Sequence, residues 1–137
     1  MRFLREKGIL MNAILSIKPK YADRIFRKEK SYEFRKKVFT KNVDKIYVYS
    51  TNPIKKILGY ILSDGIIIDH PVDLWYKLSN KKPGINKEEF FSYFGDKSKA
   101  YAIIINKIYP FNEPLDPFKI FDKFVPPQSF IYIKNCL

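Results

Sequence analysis

Residues 13–35 read AILSIKPKYADRIFRKEKSYEFR, and this stretch decides the fold. The apolar run 13–17 predicts a strand, and Pro19 suits the first position of a helix because its missing N–H is not needed there. Apolar side chains then recur at the spacing of a helix face that packs on a core. The members of this face are Tyr21, Ala22, Ile25 and Phe26. The stretch therefore predicts a strand that leads directly into an amphipathic helix.

The end of the same stretch alternates as a half-buried strand does. Ser31, Glu33 and Arg35 fall on one face of this strand, and Tyr32 and Phe34 fall on the other. Glu33 and Arg35 therefore point the same way, either as a surface ion pair or as part of a polar site. An exposed ion pair would contribute only about 0–1 kcal/mol, which favours the polar site.

The rest of the chain mixes strand and helix patterns. Helices are predicted at 72–78 and 87–94, with Asn86 as the N-cap of the second and Gly95 at its end. Asp64-Gly65 is a typical hairpin signal. Strands are predicted at 45–50, 57–62, 66–68, 101–108 and 130–133, a loop at 110–117, and a short helix or turn at 118–124. These elements predict an α+β fold, a small mixed β-barrel of about six strands with flanking helices.

The composition of the chain limits the classes of protein to which it can belong. A chain of 137 residues with 46% hydrophobic and 17% aromatic residues is too apolar for a disordered tail and has the size of one domain. No apolar run approaches the roughly 20 residues that a membrane span needs. The first ten residues carry charges and lack a long apolar segment, so they do not resemble a signal peptide, and Met11 is an alternative start. We therefore expect a cytoplasmic protein without membrane partners.

The counts of cysteine and histidine exclude several kinds of site. One cysteine, Cys136, cannot form a disulfide within the chain, and together with the single His70 it cannot complete a tetrahedral zinc site of soft ligands. No nucleophile near His70 indicates a Ser-His-Asp or Cys-His arrangement, so His70 is expected to be an ordinary loop residue. The sequence predicts neither a metal nor a cofactor.

Positive charge is concentrated in one part of the chain. The net charge is +12, and the segment 18–41 contributes +7 of it, with ten basic and three acidic side chains. A general bias toward AT-rich codons would spread lysine evenly, so this concentration favours a functional basic patch over a merely solvated face. Such a patch is typical of proteins that bind nucleic acids.

Four short motifs resemble those of the ASCH domain family in the PUA-like superfamily. They are SIKP at 16–19, KSYEFR at 30–35, YSTNP at 49–53 followed by KKILG at 55–59, and PPQSF at 126–130. The resemblance spans residues 12–133. It implies one ASCH domain over 12–137 with an extension at 1–11, a small β-barrel with a cleft between barrel and first helix, and a role in RNA transactions.

The resemblance also implies a site. Lys18, Glu33 and Arg35 correspond to polar residues that face the cleft. Lysine and arginine side chains bind phosphate oxygens, and a glutamate accepts a hydrogen bond from the amine of a base. Tyr32, Tyr47 or Tyr49 would stack on a base, unless they pack in the core as alternate residues of a strand must. The full set predicted to bind nucleic acid is Lys18, Lys20, Arg24, Arg27, Lys28, Lys30, Glu33, Arg35, Ser50, Thr51, Gln128 and Ser129.

Two further classes of function stay open. Some relatives resemble an amidohydrolase acting on N(4)-acetylcytidine, and Lys30 and Glu33 would then be catalytic, although Glu33 stands where that enzyme has a threonine. A ribonuclease that cleaves RNA without a metal is the other enzymatic reading, with Lys18, Lys30 or Arg35 stabilising charge on the phosphorus. The remaining class is a module that binds a protein or a small modified nucleoside. The expected primary partner is RNA or another single-stranded nucleic acid.

Overall fold

The computed structural model describes residues 10–137. Of the predicted extension at 1–11, residues 1–9 lie outside this described part. The described part contains six strands and four helices in one α+β arrangement. The strands are β1 Met11–Ile17, β2 Tyr32–Arg35, β3 Val43–Ser50, β4 Lys56–Asp69, β5 Ala100–Leu115 and β6 Phe130–Ile133. The helices are α1 Pro19–Phe26, α2 Pro71–Leu78, α3 Lys87–Phe94 and α4 Pro117–Ile120. Met11 thus belongs to β1 and is buried.

All six strands form one mixed sheet in the order β2-β5-β4-β3-β1-β6. β1 and β3 run parallel, with Leu15 opposite Val48, and the remaining neighbours are antiparallel. The parallel pair requires a crossover, which α1 and β2 supply. Because β1 leads into α1 and lies beside β3, the carboxyl ends of these two strands meet at the start of the helix.

The sheet does not close into a barrel, so that part of the prediction was wrong. β2 and β6 are the two edges, and each has only four residues. The sheet curls until the edges approach each other, but side chains fill the seam where a barrel would have backbone hydrogen bonds. The Arg35 guanidinium on β2 reaches Ser129 beside β6, and the Phe39 ring lies 4.8 Å from the Phe130 ring.

The helix α1 forms as the sequence predicts. Pro19 is its first residue, and Ala22 and Ile25 are fully buried against the inner face of the sheet. There they pack with Leu15, Ile17 and Val48 in the main core. The packing of this buried face fixes the position of α1, so that Lys18, the residue before the helix, lies beside the ends of β1 and β3.

A pair of helices is inserted between β4 and β5. The side chain of Asn86 caps α3 by accepting a hydrogen bond from the Glu89 N–H, and Gly95 ends it with φ of +58°. His70 caps α2 in the same way through the Val72 N–H. Phe90 anchors the pair on β2, with its ring 5.1 Å from that of Phe34. None of the helices within residues 10–137 is both long and apolar enough to span a bilayer.

Two local predictions were wrong in the same region. The chain does not turn back at Asp64-Gly65, because β4 continues through it with a bulge. The Ser63 hydroxyl accepts from the Gly65 N–H and donates to the Gly65 carbonyl, which holds the bulge. The expected loop at 110–117 is largely strand, since β5 continues beside β4 as far as Leu115. Long-range pairing between two long strands overrides both local turn signals.

Candidate functional site

A cavity of about 900 Å³ lies between α1, β2, α3 and the segment before β6. Its volume falls in the range of small-molecule and nucleotide pockets. The charged side chains on its walls are five basic and two acidic ones, which makes it a positively charged cavity. They are Lys18, Lys20, Lys30, Glu33, Arg35, Lys36 and Glu89.

The cavity brings seven of the twelve predicted binding residues together. Those on its walls are Lys18, Lys20, Lys30, Glu33, Arg35, Thr51 and Gln128. The other five lie outside its lining: Arg24, Arg27, Lys28, Ser50 and Ser129. The motifs at 16–19, 30–35 and 126–130 all contribute side chains to this one cavity.

Three charged side chains of β2 and the residues before it form the floor of this cavity. Lys30, Glu33 and Arg35 are 3%, 5% and 8% exposed. One Glu33 oxygen, Oε2, accepts a hydrogen bond from Arg35 at 3.0 Å. The other, Oε1, lies 4.0 Å from the Lys30 Nζ, beyond hydrogen-bond distance. Glu33 therefore keeps one oxygen available to a ligand.

The guanidinium of Arg35 makes its hydrogen bonds to other groups of the protein. Its Nη1 donates to the Ser16 carbonyl and to Glu33, and its Nη2 donates to the carbonyl and the hydroxyl of Ser129. A guanidinium has four terminal N–H groups, and these four bonds use them all. Arg35 thus ties β1, β2 and the residue before β6 together, and it orients Glu33 instead of reaching into the cavity as a free cation.

Lys30 occupies an unusual environment. Its Nζ donates to the Pro83 carbonyl at 2.9 Å and lies 4.7 Å from the centre of the Phe34 ring and 5.2 Å from that of Tyr21. Burial lowers the pKa of the Lys30 ammonium to about 8, although the Glu33 carboxylate opposes the shift. A lysine with such a pKa can exchange a proton near neutral pH.

Gly84 shapes the place where Lys30 lies. A Cβ at Gly84, where φ is +68°, would come 2.4 Å from the Lys30 Cβ. Gly95 has a similar φ of +58°, but its Cβ would meet nothing within 4 Å. The two glycines therefore form a matched pair that separates backbone strain from contact with Lys30.

We expect Gly95→Ala to lower the free energy of unfolding by about 1–3 kcal/mol, the strain of an alanine held at positive φ. Gly84→Ala is expected to lower it by about 1–3 kcal/mol more, because Lys30 must also move. Urea denaturation of the two variants measures the difference. Equal losses would contradict the close packing of Gly84 on Lys30.

The cations of α1 are largely engaged with the protein. Lys20 pairs with Glu89, Arg27 pairs with Asp23, and Arg24 donates to the Gly84 carbonyl at 2.9 Å. Lys28 is exposed beyond the end of the helix. The predicted basic stripe therefore does not present four free cations to solvent.

The remaining predicted residues lie around the rim or below it. Ser50 is 1% exposed, and its hydroxyl has no hydrogen-bond partner among the described residues. Ser129 is held by Arg35, whereas Thr51 and Gln128 line the cavity. Tyr47 and Tyr49 are each 1% exposed, so neither can stack on a base.

Among the residues on the cavity wall that sequence reasoning did not assign to the site are Tyr21, Lys36, Glu89 and Tyr93. Tyr21 donates to Glu89 at 2.6 Å, which links α1 to α3. Burial, followed by this hydrogen bond, raises the pKa of the Tyr21 phenol, and the Lys20 and Tyr21 hydrogen bonds lower the pKa of Glu89. Lys36 lies 4.7 Å from the centre of the Tyr93 ring. Only the periodicity of α1 gave a signal, and it assigned Tyr21 to the core.

The described residues offer no group of three or more His, Cys, Asp or Glu side chains that could hold a metal ion. The cavity presents ammonium groups, carboxylate oxygens of Glu33 and Glu89, the hydroxyl of Thr51, the amide of Gln128 and aromatic rings. Such a set recognises an anion that also carries a hydrogen-bond donor.

No protein-family model matches the chain. It is 30% identical over 131 residues to large ribosomal subunit protein uL22 of Ureaplasma parvum, where the match covers 95% of this chain and 42% of the relative. It is 28% identical over 128 residues to an ASCH domain-containing ribonuclease of Zymomonas mobilis, covering 90% of this chain and 84% of that protein. The chain thus spans less than half of the first relative.

Solved structures also show a similarity to an ASCH protein of Zymomonas mobilis. The structure of ASCH from Zymomonas mobilis superimposes with a TM-score of 0.81 at 25% identity, covering 89% of this chain and 87% of that one. A Tyr-to-Phe variant of the same protein gives a TM-score of 0.81 at 23% identity, covering 92% and 91%. The likeness extends over nearly the whole of both chains.

Proposed function

The chain is an ASCH domain, and on that premise we propose that it binds single-stranded RNA, with one nucleotide in the cavity. The observation that carries the proposal is the positively charged cavity whose floor keeps one oxygen of Glu33 available. The name of the Zymomonas mobilis relative, a ribonuclease, supports RNA as the ligand.

The charges divide into two roles. Lys18 and Lys36 are exposed on the cavity wall, so they can contact phosphate oxygens while remaining hydrated. Glu33 Oε1 lies deeper and accepts a hydrogen bond from an amine or imino N–H on the edge of a base. Phosphate contacts thus provide affinity, and Glu33 provides selection among bases.

RNA binding is expected to weaken as salt rises. Each phosphate contact of a single strand contributes about 0.7 to the slope of log K against log salt. Lys18→Ala and Lys36→Ala should each reduce the slope by about that amount. Fluorescence anisotropy with a labelled single-stranded RNA measures it.

Lys97→Ala is the matched control, since Lys97 is exposed and lies outside the cavity lining. Its slope should equal that of the unaltered protein. An absence of RNA binding at low salt would contradict the proposal, and so would equal effects of all three substitutions.

A second candidate, RNA cleavage, is favoured by the lowered pKa of Lys30 beside Glu33. Neutral Lys30 would remove the proton from a ribose 2′-hydroxyl, whose oxygen attacks the adjacent phosphorus. The bond from phosphorus to the 5′-oxygen breaks, and that oxygen takes a proton from water. The products are a 2′,3′-cyclic phosphate and a 5′-hydroxyl.

The same geometry favours RNA over N(4)-acetylcytidine as the substrate. An amidohydrolase that acts on N(4)-acetylcytidine needs a protein hydroxyl as nucleophile, within hydrogen-bond distance of the lysine that activates it. The side-chain hydrogen bond of Lys30 goes instead to the Pro83 carbonyl. RNA brings its own hydroxyl nucleophile. Incubation with each substrate and analysis of the products distinguishes the two reactions.

Cleavage is expected to increase with pH and to level off above about 8, the pKa of Lys30, because the base must be neutral. Rates measured across this range with saturating RNA test the expectation. A rate that falls as pH rises through this value would contradict a general-base role for Lys30.

A further inference from the structure

A second groove lies on the other side of Lys30. It has a volume of about 450 Å³, and Lys30 contributes to its wall as well as to that of the cavity. Its polar lining consists of Lys28, Lys30, Ser31, Asn106, Lys107 and Tyr109. The two concavities are therefore adjacent, with the Lys30 side chain between them.

Two lysines of the groove carry charge that no carboxylate of its lining neutralises. The lining contains three lysines and no carboxylate, and one of the three, Lys30, pairs with Glu33 of the cavity at 4.0 Å. Within residues 10–137, Lys28 and Lys107 take part in none of the ion pairs, in contrast to Lys20 and Arg27 on α1. Both are exposed, so their charge is available to an anionic partner.

The groove also follows an open edge of the sheet. β2 pairs with β5 only from Tyr101 to Ile104, and the Ile105 N–H then donates to the Ser31 carbonyl. Beyond that point no described strand pairs with this edge of β5. Ile105 and Ile108, which are half-buried, supply an apolar surface to the groove.

We propose that this groove binds the phosphate backbone of the nucleotides that flank the one in the cavity. The proposal rests on the proposed function and extends it, since it makes the ligand a polynucleotide strand instead of a free nucleoside. A peptide adding to the same edge is less suited, because Pro110 and Pro114 interrupt the row of N–H donors that strand addition uses.

The test compares a long and a short ligand. The probes are a single-stranded oligouridylate of about ten nucleotides, within the usual site sizes, and uridine monophosphate. In the double variant Lys28→Ala/Lys107→Ala, affinity for the oligonucleotide should fall at least about tenfold at low salt, and the salt slope should fall by about 1.4. Affinity for the monophosphate should not change.

The double variant Lys97→Ala/Lys99→Ala removes the same charge away from the groove and should bind both probes normally. Unchanged oligonucleotide affinity in Lys28→Ala/Lys107→Ala would overturn the groove while leaving the cavity intact. If the unaltered protein binds neither the oligonucleotide nor the monophosphate, the proposed function is overturned as well. Tighter binding of polyglutamate than of RNA, lost in the double variant, would identify a peptide site instead.

Discussion

Replacing Arg35 with alanine is expected to lower the free energy of unfolding by about 3–5 kcal/mol. The substitution removes four hydrogen bonds that join β1, β2 and the residue before β6. It also leaves the carboxylate of Glu33, which is 5% exposed, with only Lys30 nearby at 4.0 Å. A buried charge without its partner is the main source of the loss.

Urea denaturation followed by the fluorescence of Trp75 measures this loss. Lys18→Ala is the matched control, since Lys18 is an exposed cation of the same cavity, and its effect should stay within about 0.5 kcal/mol. A loss below about 1 kcal/mol for Arg35→Ala would contradict the bridging role of Arg35.

The second large effect is expected at Lys30. Lys30→Met keeps the length of an unbranched side chain and removes the titrating amine, so it should lower the rate of RNA cleavage by about 10²–10⁴-fold. The protein should remain folded, because methionine fits an apolar environment better than a buried ammonium does.

Lys30→Arg is the companion variant, since it retains the charge but cannot act as a base near neutral pH. It should lose cleavage as Lys30→Met does while still binding RNA. Full cleavage by either variant, with folding verified by thermal denaturation, would exclude Lys30 as the general base.

Local patterns predicted the elements whose determinants are local. The Pro19 start of α1, the Asn86 cap of α3 and the bounds of β6 were confirmed. The bulge at Gly65 was not predicted, since whether a turn signal bends the chain depends on a partner strand distant in sequence. That the sheet stays open between its edges β2 and β6 was not predicted either, since closure depends on how far these two strands extend.

Tyr47 and Tyr49 show a second limit of prediction from sequence patterns. Alternation along β3 left open whether Tyr47 and Tyr49 stack on a base or pack in the core, and in the structure the sheet is covered on both sides. Val48 packs in the core beneath α1, while Tyr47 and Tyr49 pack in a second cluster on the opposite face. A period of two reveals which residues share a face, and it does not reveal whether solvent reaches that face.

The composition of the site was more predictable than the roles within it. The motifs identified Lys18, Glu33 and Gln128, which line one cavity. Sequence could not show that all four terminal N–H groups of Arg35 would be bonded to Ser16, Glu33 and Ser129. Nor could it show that Glu89 would reach Tyr21 from 68 positions away. Both contacts are made only after the chain has folded.

The central claim is that a nucleotide of single-stranded RNA occupies the cavity, and a titration of isotope-labelled protein followed by NMR tests it most directly. We predict that a short RNA shifts the signals of Lys18, Glu33 and Gln128 together, while those of Lys97 stay unchanged. Shifts confined to surfaces away from the cavity, or no shifts at low salt, would contradict the claim.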